Sequence, residues 1–251
     1  WKASGLKSGT YRVKVSRNGY RDQEKTVDVR PGRKTRLPVE LRKIIEAFTG
    51  GGGSATKGVA GLEWVSSKYA KVSFARSETT VAQYRACVEA GKCESKHHTD
   101  KSASSYCNWG YSDRDDHPMN CVDWYGAEQF CAWTGGRLPT EQEWEAEAGA
   151  GGSRQYPWGS EEPSCSRCVM DDGGNGCGED HTWPVCSKRR GDSVSGLCDM
   201  AGNVWEWPSS WYGSEKKNRV LRGGSWNSNN IQHFRASSRS WLPPVDWSRH
   251  L

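Results

Sequence analysis

Apolar and polar side chains alternate from Tyr11 to Val15, so that Tyr11, Val13 and Val15 would face one side of an extended chain and Arg12 and Lys14 the other. Similar short runs at Thr26 to Val29 and Leu37 to Leu41, with Asn18-Gly19 and Pro31-Gly32 between the runs, predict a small all-β module over residues 1–49. Gly50-Gly51-Gly52-Gly53-Ser54 then reads as a flexible linker, extended to residue 61. From Thr80 the period changes. Val81, Tyr84, Cys87 and Val88 recur at helical spacing up to a stop at Gly91. A second helix is expected from Val122 to Trp133, with Trp124, Ala127 and Cys131 on one face and Gly135-Gly136 ending it. Thr140-Glu141-Gln142-Glu143 is a capping box opening a third, short helix that carries Trp144 and Ala148. After Gly149 periodicity is lost for about fifty residues, which implies an irregular segment held by cross-links or metal.

Composition agrees with a loop-rich fold anchored by aromatics: only 34% of residues are hydrophobic, yet 14 are Trp and 29 are Gly. No apolar run reaches the length of about 18 residues that a membrane span needs. The chain opens on Trp1 with no charged-then-apolar leader, so a targeting segment is expected to have been removed or to lie outside these residues. Ten cysteines at positions 87, 93, 107, 121, 131, 165, 168, 177, 186 and 198 point to disulfides, and through them to an extracytoplasmic or cell-surface location. Cys165-Ser166-Arg167-Cys168, followed by Cys177 and Cys186, keeps a zinc site open as the alternative.

Charge is segregated. Residues 1–49 hold 13 basic and 5 acidic side chains, net +8, which leaves −3 for the rest of a chain whose total is +5. A basic module could attract an anionic polymer or surface, but no aromatics interleave with the basic residues, so nucleic acid is not expected and a solvated sheet face is the simpler account. The series Gly9-Thr10-Tyr11-Arg12-Val13-Lys14-Val15, Asn18-Gly19-Tyr20 and Val39-Glu40-Leu41 resembles a PEGA-type repeat of bacterial proteins. That resemblance implies a sandwich-like spacer or attachment unit.

Ser77-Glu78-Thr79-Thr80-Val81-Ala82-Gln83-Tyr84, Asn120-Cys121-Val122-Asp123-Trp124, Gly136 to Glu145, Tyr156-Pro157-Trp158-Gly159, Gly202-Asn203-Val204-Trp205-Glu206-Trp207 and Leu221 to Trp226 follow one another in the order seen in the formylglycine-generating (sulfatase-modifying) enzymes. The resemblance covers residues 62–251. It implies an α+β class and a variant of the C-type lectin fold, irregular, with few short helices and strands. Active members carry two cysteines after the Gly-Gly-Ser-aromatic motif and hold copper with them; the matching positions here are Ser228 and His233. A hydroxyl and one imidazole cannot replace two soft thiolates, so neither copper nor cysteine-dependent oxidation is expected. The three-histidine iron site of hercynine-synthase-like relatives finds no His-x-x-x-His spacing among His97, His98, His117, His181, His233 and His250. The resemblance also implies a structural calcium, bound by the side chains of Asp199 and Glu206 and the carbonyls of Gly202 and Val204. Hard oxygen donors around a tight turn suit that ion. The family pattern continues into Gly-Phe-Arg, so the last core strand is expected to be finished beyond Leu251.

Residues 227–251 mix chemistries without alternation. Arg235, Arg239, Pro244 and Arg249 read as scaffold, and between them stand Ser228, Asn229, Ile231, His233, Phe234, Ser238, Ser240, Trp241, Leu242, Val245, Trp247 and His250. Most of these are residue types reachable from Asn codons by change at adenines, so the tail resembles the variable region of diversity-generating retroelement proteins. The twelve side chains are therefore expected to form an exposed ligand-binding surface for a protein or other macromolecule, with Phe234, Trp241, Leu242 and Trp247 as aromatic and aliphatic anchors. A noncatalytic binding protein is the expectation, and a metal-dependent oxidoreductase of the formylglycine-generating or iron-dependent sulfoxide synthase type is the alternative.

Overall fold

A computed structural model describes residues 9–15, 23–29, 61–95, 106–248 and 251. The chain divides into two compact units, Trp1–Ser54 and Ala55–Leu251, each treated by itself. In the first, β1 (Gly9–Val15) and β2 (Gln23–Val29) pair antiparallel with Tyr11 opposite Val27 and Val15 opposite Gln23. The two turns, the Leu37 to Leu41 run and the glycine linker lie outside the described residues.

The second unit opens with the short hairpin β3 (Trp64–Ser66) and β4 (Ser73–Ala75). Helices α1 (Val81–Glu89), α2 (Trp124–Trp133) and α3 (Glu141–Ala148) follow. Beyond them β5 (Trp211–Tyr212), β6 (Asn218–Leu221) and β7 (Ser240–Leu242) form an antiparallel sheet in that spatial order. Helix α1 starts where the pattern places it because Thr80 and Gln83 exchange the two bonds of a capping box. Helix α2 begins two residues later than its hydrophobic pattern implies: the Asp123 carboxylate accepts the Gly126 N–H and caps it, while Val122 joins the core beside Tyr84, Met119 and Phe130.

The irregular stretch after Gly149 holds only two short 3-10 turns, Asn175–Gly178 and Arg189–Gly191. Disulfides Cys165–Cys177 and Cys186–Cys198 close it, and Cys87–Cys93 and Cys107–Cys121 brace the region around α1. This pairing breaks up the four-cysteine zinc set. It also corrects a uniformly cross-linked reading, because Cys131 and Cys168 remain thiols. Burial raises both, Cys131 to about 11 and Cys168 to about 12, so neither is a ready thiolate.

Trp144, the Trp of the capping-box helix, sits at 1% exposure in a cluster with Ala148, Leu197, Met200 and Ala236. A second cluster joins Trp124, Leu138, Trp207, Leu221 and Leu251. Large rings thus fill what short elements cannot. No helix among the described residues is long and apolar enough to cross a membrane.

Candidate functional site

Strand β6 runs directly into Arg222-Gly223-Gly224-Ser225-Trp226, where the tail leaves the sheet. Arg222 is 1% exposed, and its guanidinium is shared among the Ala236 carbonyl (2.9 Å), the Ser238 carbonyl (2.7 Å), Glu141 (2.8 Å) and Glu145 (2.5 Å). Arg239 returns to Glu141 with two bonds of 2.7 Å. One arginine from the strand and one from the tail therefore clamp the tail onto α3, and bidentate geometry fixes its direction. Pro244 contributes through its carbonyl, which accepts the Trp124 N–H at the start of α2 (3.1 Å).

Gly224 lies in the left-handed region (φ +79°), and a Cβ on it would stand 2.8 Å from the Phe234 ring. Gly224 is thus required by the ring that packs on it, whereas Gly223 (φ +97°) faces the Met200 carbonyl, 3.1 Å from an added Cβ. Phe234 closes a 3-10 turn, Ile231–Phe234, capped by Asn230, and is wholly buried with Tyr156, Cys168, Met170 and Ala201. This overturns its assignment to an exposed surface: a tail this short can be held only if one of its own large side chains enters the core. Ser228 is likewise buried, its hydroxyl accepting the Ser225 N–H (3.2 Å). Leu242 is half-buried against the Trp124 cluster, and Trp247 is half-buried.

What remains accessible is narrower than the twelve positions. Asn229, Trp241 (47%) and Val245 (61%) are exposed, and Ile231, His233, Ser238 and Ser240 are partly so. His250 lies outside the described residues. Trp241 leans on Tyr212 of β5 (centroids 6.1 Å apart), and Arg239 covers the other partner of that pair, 4.7 Å from the Tyr212 ring. His233 instead packs on Trp205 at 5.4 Å, its Nδ1 buried without a hydrogen bond and its imidazole held below the usual histidine range by burial. Tyr212 and Trp205 were not among the expected surface residues. Alternation of Trp211-Tyr212 with Arg219-Val220-Leu221 across a turn was the available signal for Tyr212, whereas only packing brings Trp205 to the tail.

The Asp199 to Glu206 turn is the second chemical feature. Asp199, Gly202 and Asn203 all have positive φ (57°, 88° and 62°). A Cβ on Gly202 would lie 2.6 Å from the Val169 carbonyl, so no other residue fits that bend. Asp199 accepts the Cys186 N–H (2.5 Å) and Glu206 the Trp144 indole N–H (3.0 Å). A third carboxylate, missed in the sequence reading, joins them. Glu78, just before α1, accepts from Asn203 Nδ2 (2.8 Å) and the Val204 N–H (3.1 Å).

Burial raises all three carboxyls: Asp199 to about 6, Glu206 to about 7, and Glu78 well above its ordinary range, with repulsion from Asp199 and Glu206 adding to Glu78. No salt bridge relieves them among the described residues. The carbonyls of Gly202 and Val204, the other two donors expected for calcium, accept no backbone hydrogen bond among the described residues. Three side chains do not converge on one metal position there, so an ion would rest on Asp199 and Glu206 completed by carbonyl oxygens. The donor set is hard and acidic, and Arg189 and Lys188 offset Asp199 only in part, which fits that ion.

Residues 52–251 match the family described as sulfatase-modifying factor enzyme 1-like domain, and residues 1–45 match the PEGA domain. Over 129 residues the chain is 36% identical to the inactive C-alpha-formylglycine-generating enzyme 2 of Bos taurus, covering 47% of this chain and 41% of that protein. It is 37% identical over 152 residues to the hercynine oxygenase of Mycobacterium tuberculosis, covering 51% and 34%. The chain spans less than half the length of these curated relatives. Among solved structures, Treponema denticola variable protein 1 superposes with a TM-score of 0.52 at 20% identity, covering 69% of this chain and 79% of that one, a likeness of fold.

Proposed function

Because the chain belongs to the sulfatase-modifying factor enzyme 1-like domain family, yet carries Ser228 and His233 where its active members place cysteines, we propose that it is a noncatalytic ligand-binding protein. The observation that carries this reading is the fate of those two positions. Ser228 is spent on a turn with Ser225, and His233 on Trp205, while the two free thiols lie elsewhere with raised pKa values. Two thiolates cannot meet on a soft metal there.

The recognition surface is the exposed part of the tail, with Asn229, Trp241 and Val245 foremost and Ile231, His233, Ser238 and Ser240 around them. A protein ligand suits it: an aromatic anchor, an aliphatic neighbour and adaptable polar side chains resemble paratope chemistry. We take this surface to be diversified, on the clamp in which buried Arg222 and exposed Arg239 both grip buried Glu141 and so hold the chain path whatever the other exposed residues are. The coding segment for residues 223–251 should then recur as a near-copy beside a reverse-transcriptase gene, and its absence would end the diversification reading. The basic first unit serves as spacer or attachment, and four disulfides favour an oxidising, extracytoplasmic setting.

Asp199 and Glu206, with the Gly202 and Val204 carbonyls, would hold a structural calcium that neutralises the buried acids. Chelation should lower the melting temperature of the parent and leave Asp199→Ala unaffected, since Ala offers no ligand oxygen; equal responses would remove calcium from the account. The hercynine oxygenase relative favours the second reading, a metal-dependent oxidoreductase. Metal analysis of the purified protein separates the two, since stoichiometric copper or iron contradicts the binding-protein reading.

A further inference from the structure

Arg219 of β6 is 9% exposed, and its guanidinium carbon lies 3.6 Å from the ring centre of Trp124 and 3.5 Å from that of Trp211. Two rings so close to one atom can only cover its opposite faces. The sheet supplies one of them, because Trp211, Arg219 and Leu242 stand opposite one another on β5, β6 and β7 and so share a face. Helix α2 supplies the other: Trp124 is its first residue, and its indole N–H donates to the Pro208 carbonyl (2.9 Å). A guanidinium stacked on both sides is attracted by both ring faces and cannot turn.

Its edge lacks a counter-charge. Nη1 donates to the Ser209 carbonyl, Nε is buried without a partner, and Nη2 is open to solvent with no bond among the described residues. Buried guanidinium groups ordinarily meet a carboxylate, as Arg222 meets Glu141. No carboxylate among the described residues comes within salt-bridge distance of Arg219. Burial lowers its pKa, and the exposed Glu128, one turn along α2 from Trp124, offsets only part of that. Neither Arg219 nor its two ring walls line the cleft of about 630 Å³ that Leu251 borders.

We propose that this slot receives a carboxylate from a separate polypeptide, the side chain of a glutamate. The two ring faces stand about 7 Å apart, which leaves the thickness of one planar group between them. A carboxylate continues the guanidinium plane and accepts from Nη2 and the second hydrogen of Nη1; a sulfate or phosphate puts two oxygens out of that plane, toward the ring edges. Glutamate also carries its carboxylate on a slender methylene stem, whereas a uronate carries it directly on a bulky ring. A polypeptide is the fitting source because the slot adjoins the tail. The Pro244 carbonyl accepts the Trp124 N–H (3.1 Å), which brings exposed Val245 beside it, and exposed Tyr125 stands edge-on to Trp124 at 5.4 Å. Arg219 itself precedes the tail, so the assignment goes beyond the diversified-surface reading and survives its failure.

The test uses the full chain and a blocked glycine-glutamate-glycine tripeptide at constant ionic strength. It follows the indole N–H resonance of Trp211, which has no hydrogen-bond partner among the described residues. A saturable shift is expected, with affinity weaker by about tenfold or more for the glutamine tripeptide, for sulfate and for glucuronate. Arg219→Lys keeps the charge and loses the planar fork, and should weaken the glutamate tripeptide by about tenfold or more. Glu128→Gln removes the competing carboxylate on α2 and should tighten it. Absence of saturation, an equal response to the glutamine tripeptide, or unchanged affinity in folded Arg219→Lys overturns the site. If Arg219→Lys does not fold, weaker binding by Glu128→Gln than by the parent overturns it instead. Tighter binding of sulfate or glucuronate overturns the assignment to glutamate, and binding by Glu128→Gln alone makes Glu128 the occupant and overturns a separate polypeptide.

Discussion

Replacing Phe234 by alanine is the sharpest probe of where scaffold ends and surface begins. The ring is at 0% exposure, pressed on Gly224 and enclosed by Tyr156, Cys168 and Met170, so its removal leaves a cavity that the glycine turn cannot collapse into. Truncating a fully buried phenylalanine costs about 3 to 5 kcal/mol. In a domain of this size each kcal/mol moves the melting temperature by about 2 to 4 °C, so a fall of roughly 10 °C is expected. Val245, at 61% exposure, supplies the control: Val245→Ser should stay within about 0.5 kcal/mol of the parent. Trp241→Ala lies between, since about half of roughly 200 Å² at about 25 cal/mol per Å² bounds its cost near 2.5 kcal/mol. The assay is thermal unfolding followed by near-ultraviolet circular dichroism, with disulfides intact. A Phe234→Ala variant that melts with the parent, or a Val245→Ser variant that falls as far, would refute the division drawn through the tail.

Three further outcomes are expected. His117 is buried, its Nδ1 against the Thr182 hydroxyl at 2.9 Å, and burial lowers its pKa to about 4. The unfolded chain therefore takes up the proton first: stability is full above about pH 6.5 and declines toward pH 4 by about 3 kcal/mol, a slope in urea midpoints that His117→Gln should flatten. Arg222→Met takes the donor from the Ala236 and Ser238 carbonyls while Glu141 keeps Arg239, and should cost about 2 to 4 kcal/mol in urea unfolding, against less than about 1 kcal/mol for Arg137→Met at the exposed Glu143 pair. Denatured, unreduced protein should bind two equivalents of alkylating agent, at Cys131 and Cys168, and ten only after reduction, as mass spectrometry can count.

Much of the frame was legible because its signals are local. Thr80 with Gln83 and Thr140 with Glu143 form capping boxes from residues three apart, and both helices begin there. Asp123 shows the limit of periodicity: a hydrophobic pattern marks a face, whereas the end of a helix is set by which side chain satisfies its first N–H groups. Glu78 was quoted within a motif and not as part of the acidic site, since 121 residues of chain separate it from Asp199 and only folding brings them together.

Sequence alone determined the family, through six motifs in order, the positions of the three helices, and the identity of Ser228 and His233 behind the Gly-Gly-Ser-Trp motif. Composition pointed to disulfides for the irregular middle with zinc left open, and the structure decided for disulfides and for which eight cysteines pair. Tertiary structure decided which tail residues face outward. In a segment without a helical or strand period, inside and outside are set by long-range contacts: Arg222 and Arg239 on Glu141, and Phe234 on Gly224. No local pattern encodes such contacts, so the twelve positions that read as one variable surface between scaffold residues split into a buried anchor and an exposed face.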